Sequence, residues 1–370
     1  MVAIVAGTAG GTGTLQSTSG FGAKYGELST HDAFTIQKKF LTISKKLITM
    51  ARFAQKEVKP LNEGNEVRWR RYERFAVGTS TLSEGVTPAS DTLQQTTIIA
   101  SLSQYGSWVP VTDLMLALST DPIVQQITER QAIQMAEQMD TLAWQAFRAG
   151  SNVLYAAATN SFSGTRTSVV LNIALANQVY PSGSANTSDS LIRAAVRSLE
   201  SKDAVRISSV VKPSSGYNTE PVAEGFFAIT HPDVRVDIEA MPGFSPIEKY
   251  ANYGAVMAGE IGKVGMVRFI STTIAEPFTD NGGSTVSTLK DNGSAVKVYT
   301  TLVFAQDAVG CVSLAGQDSV VPKVVTPAPT SEDPLGQRGS CGYSYHYVCK
   351  VLQDNWLVRL EHGASKVGGS

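Results

Sequence analysis

The sequence predicts an α+β fold built from an extended hairpin, a long helix and a closing strand. Residues 66–76 and 96–111 are rich in β-branched and aromatic side chains and flank a polar tip, which is typical of a long hairpin. Residues 122–149 predict one long helix, and residues 345–360 predict the last strand. The strands are grouped and do not alternate with helices as βαβ units, so we expect an α+β arrangement.

The long helix is predicted from both of its ends. Asp121 is a good N-cap, Pro122 suits the first helical position, and Gly150 suits the position just after the helix. At about 1.5 Å per residue the rod would be roughly 40 Å long. An apolar stripe predicts the core-facing side, with candidate core residues Ile127, Met135, Met139 and Leu142.

Shorter elements complete the pattern. We expect amphipathic helices at residues 34–54 and 189–201. Short strands are expected at residues 204–211, 225–230, 266–272 and 297–304.

Size and composition favour a subunit that other chains cover. A chain of 370 residues suggests about two or three lobes. Charged residues make up 17% of the chain, below the usual quarter or so, which leaves less surface committed to water. Burial by copies of itself would explain this composition, and so would a compact alanine-rich monomer.

Positive charge is concentrated before and within the hairpin. Residues 36–74 hold eleven Lys or Arg against four acidic residues, a balance of +7, in a chain whose net charge is −1. This segment predicts a solvated face, a contact with an acidic neighbouring subunit, or a phosphate-binding face. The candidate interior basic face consists of Lys38, Lys39, Lys45 and Lys46.

The hairpin is the main candidate for contact with other subunits. A two-stranded hairpin is barely stable alone in water, so this one needs a surface to pack on. Its candidate intersubunit contacts are Trp69, Arg70, Arg71, Tyr72, Arg74 and Glu84.

No motif indicates catalysis, a cofactor or a metal. The sequence lacks G-x-S-x-G, H-E-x-x-H and the phosphate-loop G-K-[ST]. Cys311, Cys341 and Cys349 are odd in number and fit no metal spacing, so we expect buried, reduced thiols. Because no catalytic motif is found, we expect a non-enzymatic protein. Because the sequence shows no signal peptide or membrane-length segment, we expect it to be soluble and made in a reducing compartment.

Eight short motifs, in one order, carry a resemblance to a known family. They are L-S-E-G-V-T-P (82–88), Y-G-S-W-V-P-V-T-D-L (105–114), D-P-I-V (121–124), A-I-T-H-P-D (228–233), G-E-I-G-K-V-G-M-V-R-F-I (259–270), F-A-Q-D-A-V-G (304–310), D-P-L-G-Q-R-G (333–339) and W-L-V-R-L-E (356–361). Over residues 34–364 the chain resembles tailed-bacteriophage major capsid proteins of the Hong Kong 97 fold. In detail it is similar to the major capsid family of the N-four-like podophages.

The resemblance implies a division of the chain. It comprises an N-terminal arm (1–58), an E-loop β-hairpin (59–112), a P-domain (113–230) with its spine helix (122–149), an A-domain (231–342), and a return strand with the C-terminus (343–370).

The resemblance also implies the function. Hexamers and pentamers would form an icosahedral head shell around double-stranded DNA, which the protein would contact non-specifically. Decoration, scaffolding and portal proteins are the implied partners, with no membrane. The protein would reside in the virion after assembly in the bacterial host cytoplasm. An encapsulin-like cellular nanocompartment shell and an enzyme with a two-stranded interdomain arm are the alternatives.

Overall fold

The structure is a computed structural model. It describes residues 48–75, 77–79, 81, 84–85, 87, 90–119, 122–157, 164–178, 190–207, 224–247, 259–278, 282–315, 320–329, 331 and 333–366. The candidate interior basic face, Lys38, Lys39, Lys45 and Lys46, therefore lies outside the described residues, as does most of the helix expected at 34–54.

Fourteen strands and five α-helices are seen in the described part of the chain. The strands are β1 Gln55–Lys59, β2 Glu66–Tyr72, β3 Gln95–Ser101, β4 Ser103–Thr112, β5 Val153–Tyr155, β6 Phe226–Thr230, β7 Phe244–Pro246, β8 Glu260–Val264, β9 Val267–Ser271, β10 Tyr299–Phe304, β11 Val309–Leu314, β12 Val320–Val325, β13 Arg338–Val351 and β14 Leu357–His362. The helices are α1 Asp113–Leu118, α2 Ile123–Arg148, α3 Ile173–Gln178, α4 Leu191–Glu200 and α5 Arg235–Glu239. None of the described helices is long and apolar enough to cross a membrane.

The chain forms two compact units. Among the described residues, the first unit comprises Gln104–Ala136 and Leu314–His346. The second comprises Ile48–Ser103, Glu137–Ser313 and the chain from Tyr347 onward. Helix α2 and strand β13 contribute residues to both units.

The second unit is built on a seven-stranded sheet in the order β5-β14-β10-β6-β9-β8-β7. Every residue of β6 and β10 is buried, because these strands lie centrally and are covered on both faces. Helix α4 adds Leu191, Ala195 and Leu199 to the core, where they join Phe226 and Phe269. The N-cap of this helix is Ser190, whose side-chain oxygen accepts a hydrogen bond from the Arg193 N–H.

The first unit holds a small antiparallel sheet. Residues 340–345 of β13 pair antiparallel with β12, and β4 also pairs with β13. Gly106 is required on β4, because a Cβ there would lie 2.5 Å from the Tyr343 carbonyl oxygen. In the second unit, the later residues of β13 pair with β11, which also pairs with β1.

Two predicted strands are each divided in the structure. The run at 96–111 breaks at Leu102, whose N–H donates to the Asn65 carbonyl oxygen at 2.8 Å and closes the hairpin ladder. The chain then leaves the hairpin as β4. The run at 345–360 is likewise interrupted by a 3₁₀ turn at Asp354–Trp356, because β13 and β14 belong to different sheets. Periodicity identified the strands, and the pairing partners set where they end.

The predicted long helix is present, and its buried face differs from the predicted stripe. Met135 is buried, whereas Ile127, Met139 and Leu142 are half-buried in the single subunit. The buried face includes the polar residues Thr128, Gln131 and Asp140, together with Ala132, Ala136, Ala143, Trp144 and Phe147. The spacing of apolar residues does not reveal this face, because its polar members are buried through specific hydrogen bonds.

Asp140 shows why such a polar residue is tolerated. Its carboxylate is fully buried and accepts hydrogen bonds from the backbone N–H groups of Thr49, Met50 and Ala51, at 2.6–3.3 Å. Burial raises the pKa of Asp140, although these backbone donors oppose the rise. The carboxylate therefore anchors residues 49–51 to the long helix.

The expectation of three reduced thiols is wrong. Cys311 and Cys349 form a disulfide, and Cys341 is free and buried. Cys311 and Cys349 lie directly opposite each other on β11 and β13, with their Cα atoms 4.2 Å apart. The two residues are 38 positions apart in the chain, so their spacing gave no sign of the pairing.

Candidate functional site

The hairpin presents two chemically different faces. Strands β2 and β3 pair antiparallel from Glu66 opposite Ser101 to Tyr72 opposite Gln95. Alternation along the strands puts the more buried side chains on one side, the inner hairpin face: Val67, Trp69, Arg71, Thr96, Ile98 and Ala100. The opposite side, the outer hairpin face, carries Arg68, Arg70, Tyr72, Thr97 and Ile99.

The inner hairpin face anchors the hairpin to its own subunit. The Arg71 guanidinium donates to the Leu352 carbonyl oxygen at 3.2 Å and lies 3.7 Å from the Glu73 carboxylate. Beyond the paired strands, Arg74 forms an exposed ion pair with Asp203 at 2.9 Å. Arg71 and Arg74, two of the predicted intersubunit contacts, are thus engaged within the subunit, and Trp69 points to the same inner side.

The outer hairpin face is left uncovered. Tyr72 is 56% exposed and Ile99 is 52% exposed, and Arg70 beside them is exposed as well. Among the described residues Arg70 has no ion-pair partner. Further exposed apolar side chains follow toward the tip, Phe75, Val77 and Leu93, and the predicted contact Glu84 is exposed at the tip. Aromatic, aliphatic and arginine side chains of this kind are enriched at protein interfaces.

The first unit carries exposed apolar side chains of its own. Trp108 on β4 is 66% exposed, and Leu114 and Leu118 lie one turn apart on α1, with Leu118 74% exposed. Leu335 is exposed in the loop before β13. That loop is held to the start of α1 by the Asp113 N–H, which donates to the Gln337 carbonyl oxygen at 3.2 Å.

A half-buried arginine cluster around a buried carboxylate locks the end of α2 to β14. The Arg166 guanidinium forms two hydrogen bonds, at 2.7 and 2.9 Å, with the fully buried Glu361 carboxylate, and Arg359 lies 2.9 Å from the same group. Arg148 and Arg166 stack on the Phe278 ring, at 3.2 and 3.4 Å from its centroid. Burial, together with the nearby Arg166 charge, lowers the pKa of Arg148 to about 10. The motif at 356–361 contains two of these residues, yet nothing in the sequence indicated the cluster.

A second polar cluster holds the turn after β6. The Asp233 carboxylate accepts hydrogen bonds from the Tyr299 hydroxyl at 2.7 Å and from the Lys290 ammonium at 3.1 Å. Burial opposes ionisation of Asp233, but these two donors outweigh it and lower its pKa. Within the described residues, no group of three or more His, Cys, Asp or Glu side chains could hold a metal.

Comparison with known proteins identifies the family. Residues 95–356 match the family described as "Phage capsid protein". The chain belongs to this family. The matched region begins with β3 of the hairpin and ends just before β14, so it includes α2, most of the seven-stranded sheet and the β13 pairings.

Solved capsid structures share the fold of this phage capsid protein. It aligns with the capsid of Ralstonia phage GP4 at a TM-score of 0.58 and 14% identity, over 100% of both chains. It aligns with the cyanophage Pam1 capsid at a TM-score of 0.55 and 10% identity, over 97% of this chain and 100% of the Pam1 chain. It aligns with the cyanophage P-SCSP1u capsid at a TM-score of 0.53 and 12% identity, over 96% of this chain and 94% of the P-SCSP1u chain. No curated protein sequence matches the chain.

The expected fold and function are confirmed. The phage capsid protein has the Hong Kong 97 fold, in an α+β arrangement. It is a major capsid protein that associates with copies of itself to form the shell of the virion, a structural role. Its similarity to the N-four-like podophage family stays a prediction.

Proposed function

We propose that this capsid protein forms hexamers and pentamers of an icosahedral phage head around double-stranded DNA, and that the outer hairpin face is a principal contact between neighbouring subunits. The observation that carries the second part is the uncovered outer face of a two-stranded ribbon whose inner face is already engaged. The expected division also belongs to this proposal: arm 1–58, E-loop hairpin 59–112, P-domain 113–230, A-domain 231–342 and return strand 343–370.

The chemistry of the outer hairpin face suits a repeated contact. Burying an apolar side chain fully stabilises by about 1.5–3 kcal/mol, so Tyr72 and Ile99 can each contribute substantially. The Arg70 charge adds about 0–1 kcal/mol if its partner stays exposed. Closed rings need head-to-tail contacts, in which one surface of a subunit meets a different surface of the next. A projecting hairpin provides one of those two surfaces.

Arg70 is the arginine of the basic segment that best suits the proposed contact. Reversing Arg71 or Arg74 would disturb contacts inside the subunit, whereas Arg70 faces outward on β2. Arg70 is therefore the arginine that tests assembly. The remaining parts of the proposal are decoration, scaffolding and portal partners, non-specific DNA contact, and assembly in the host cytoplasm.

The test compares outer-face variants by electron microscopy and light scattering. Tyr72→Ser combined with Ile99→Ser should leave folded subunits that no longer close shells, and Arg70→Glu should weaken assembly in low salt. Val236→Ser on α5 is the matched control, because Val236 is an equally exposed apolar residue away from the hairpin. Normal shells from the double variant would refute the hairpin assignment. Nuclease-resistant double-stranded DNA inside wild-type heads distinguishes a phage head from a cargo compartment.

A further inference from the structure

The disulfide of the second unit joins two paired strands. Cys311 on β11 lies directly opposite Cys349 on β13. This register extends over five residue pairs, beginning with Val309 opposite Val351. Because the backbone pairing sets which residues are opposed, it holds the two sulfur atoms side by side whether or not they are bonded to each other.

The two cysteines of this pair differ in exposure. Cys311 is only 4% exposed, whereas Cys349 is half-buried near the end of its strand. A disulfide forms and breaks by attack of a thiolate on a disulfide sulfur, so the rate depends on which sulfur a reagent can reach. A small molecule therefore reaches the pair from the Cys349 side.

The third cysteine takes no part in this pair. Cys341 is free and buried, eight positions before Cys349 on β13. An extended strand advances about 3.3 Å per residue, so these two sulfur atoms cannot meet. Burial also raises the pKa of Cys341 to about 11, which keeps its thiol protonated and a weak nucleophile. Cys311 and Cys349 thus have no third thiol in the chain with which to exchange.

A disulfide is unusual in the compartment where this subunit would be made. The glutathione and thioredoxin systems of a cytoplasm keep thiols reduced, and a particle released from the cell leaves those systems behind. We propose that Cys311 and Cys349 are a redox modification site. The pair is a dithiol in the newly made subunit, and a small-molecule disulfide such as oxidised glutathione converts it to the bonded form after release, reacting first at Cys349. This inference rests on the proposed assembly in the host cytoplasm.

The reaction consists of two exchanges. The Cys349 thiolate attacks one sulfur of the small disulfide, forms a mixed disulfide and releases one small thiolate. The Cys311 thiolate then attacks the Cys349 sulfur, forms the bond seen in the structure and releases the second small thiolate. The released thiolates take up the two protons that the cysteines lose. The protein dithiol is oxidised, and the small disulfide is reduced to two thiols.

The bond stabilises the subunit after release. It joins positions 38 residues apart, and a cross-link of this kind acts mainly by restricting the unfolded chain. The typical effect is a fall of about 30- to 1,000-fold in the equilibrium constant for unfolding. The finished shell is therefore more resistant to unfolding outside the cell than during assembly.

Thiol trapping before and after release tests the proposal on the wild-type protein. Cells that are making shells are lysed directly into urea with N-ethylmaleimide, which blocks free thiols, and the protein is mapped by mass spectrometry. Cys311 and Cys349 should both carry the label. Released shells treated with oxidised glutathione before the same procedure should have the disulfide, with Cys341 labelled in both samples.

Two results of the trapping experiment would overturn the proposal. One is a complete disulfide in the cell sample, and the other is a pair of labelled thiols in the treated shells. Intact shells seen by microscopy in either case would leave the capsid function standing. Expected labelling in a protein that forms no shells would count against the capsid function alone.

Three serine variants test the order of the two sulfur atoms. With oxidised glutathione, Cys311→Ser should accumulate the mixed disulfide at Cys349, because the second exchange is removed. Cys349→Ser should react at Cys311 at least about ten-fold more slowly, because that sulfur is buried. Cys341→Ser is the matched control and should form the disulfide at the wild-type rate. Equal reaction at Cys311 and Cys349 would contradict the assigned order.

Urea unfolding measures the consequence for stability. Subunits from oxidised shells should have an unfolding equilibrium constant about 30- to 1,000-fold lower than the same subunits treated with dithiothreitol. Cys341→Ser should show the same difference, and a variant with both Cys311→Ser and Cys349→Ser should show none. A double variant that responds to dithiothreitol like the wild type would overturn the stabilising role.

Discussion

Acid should destabilise the subunit through one buried histidine. His362 is the last residue of β14 and has no exposed surface. Its Nε2 lies 2.8 Å from the Thr301 hydroxyl and its Nδ1 lies 2.8 Å from the Gly363 carbonyl oxygen. Burial lowers the pKa of His362 to about 4, although the Gly363 carbonyl partly offsets the shift.

The sign and size of the effect follow from linkage. In the unfolded chain His362 has a pKa of about 6.5, so between roughly pH 6.5 and 4 the unfolded state binds a proton that the folded state does not. Folding stability from this group is complete above about pH 6.5 and falls as the pH drops toward 4. The lowered pKa of His362 corresponds to roughly 3 kcal/mol of folding stability in total, of which about 2 kcal/mol is lost by pH 5.

The assay is urea unfolding of purified subunits at several pH values, for the wild type and for His362→Gln. The glutamine can form similar hydrogen bonds and does not titrate, so other ionisable groups cancel in the comparison. Between pH 7 and 5 the wild type should lose about 2 kcal/mol more unfolding free energy than the variant. Parallel pH profiles for the two proteins would refute the reasoning.

Three other changes test the core contacts. Phe147→Ala should lower the free energy of unfolding in urea by about 3–5 kcal/mol, because that ring is fully buried. Leu142→Ala should lower it by less than about 2 kcal/mol, because Leu142 is half-buried. Equal losses in the two variants would contradict the helix orientation. Asp140→Asn should lower the free energy of unfolding by about 1–3 kcal/mol, since one acceptor oxygen is lost. It should also speed hydrogen exchange at the backbone N–H groups of residues 49–51. Unchanged exchange at these groups would argue against the anchor. Peptide mapping of unreduced protein should recover Cys311 linked to Cys349 within one chain, and free thiols at both positions would contradict the disulfide.

Local sequence patterns were enough to predict the types of the secondary-structure elements and the family. Capping and periodicity predicted the long helix to within about one residue of Ile123–Arg148. Three of the predicted short strands correspond to β6, β9 and β10. They could be predicted because buried strands are short segments rich in apolar residues. The ordered motifs then indicated the Hong Kong 97 fold, which the family match and the solved capsids confirm.

Pairing between distant segments decided the rest. The pairing register of β2 and β3 determines which side chains share a face of the hairpin. Arg71 lies on the inner face and contacts Leu352, whereas Arg70 lies on the outer face. The same long-range pairing joined Cys311 to Cys349 and buried Asp140 under the backbone of residues 49–51. These features depend on which strand or helix lies opposite, a choice made by the whole folded chain, so the spacing of residues along the sequence does not contain them.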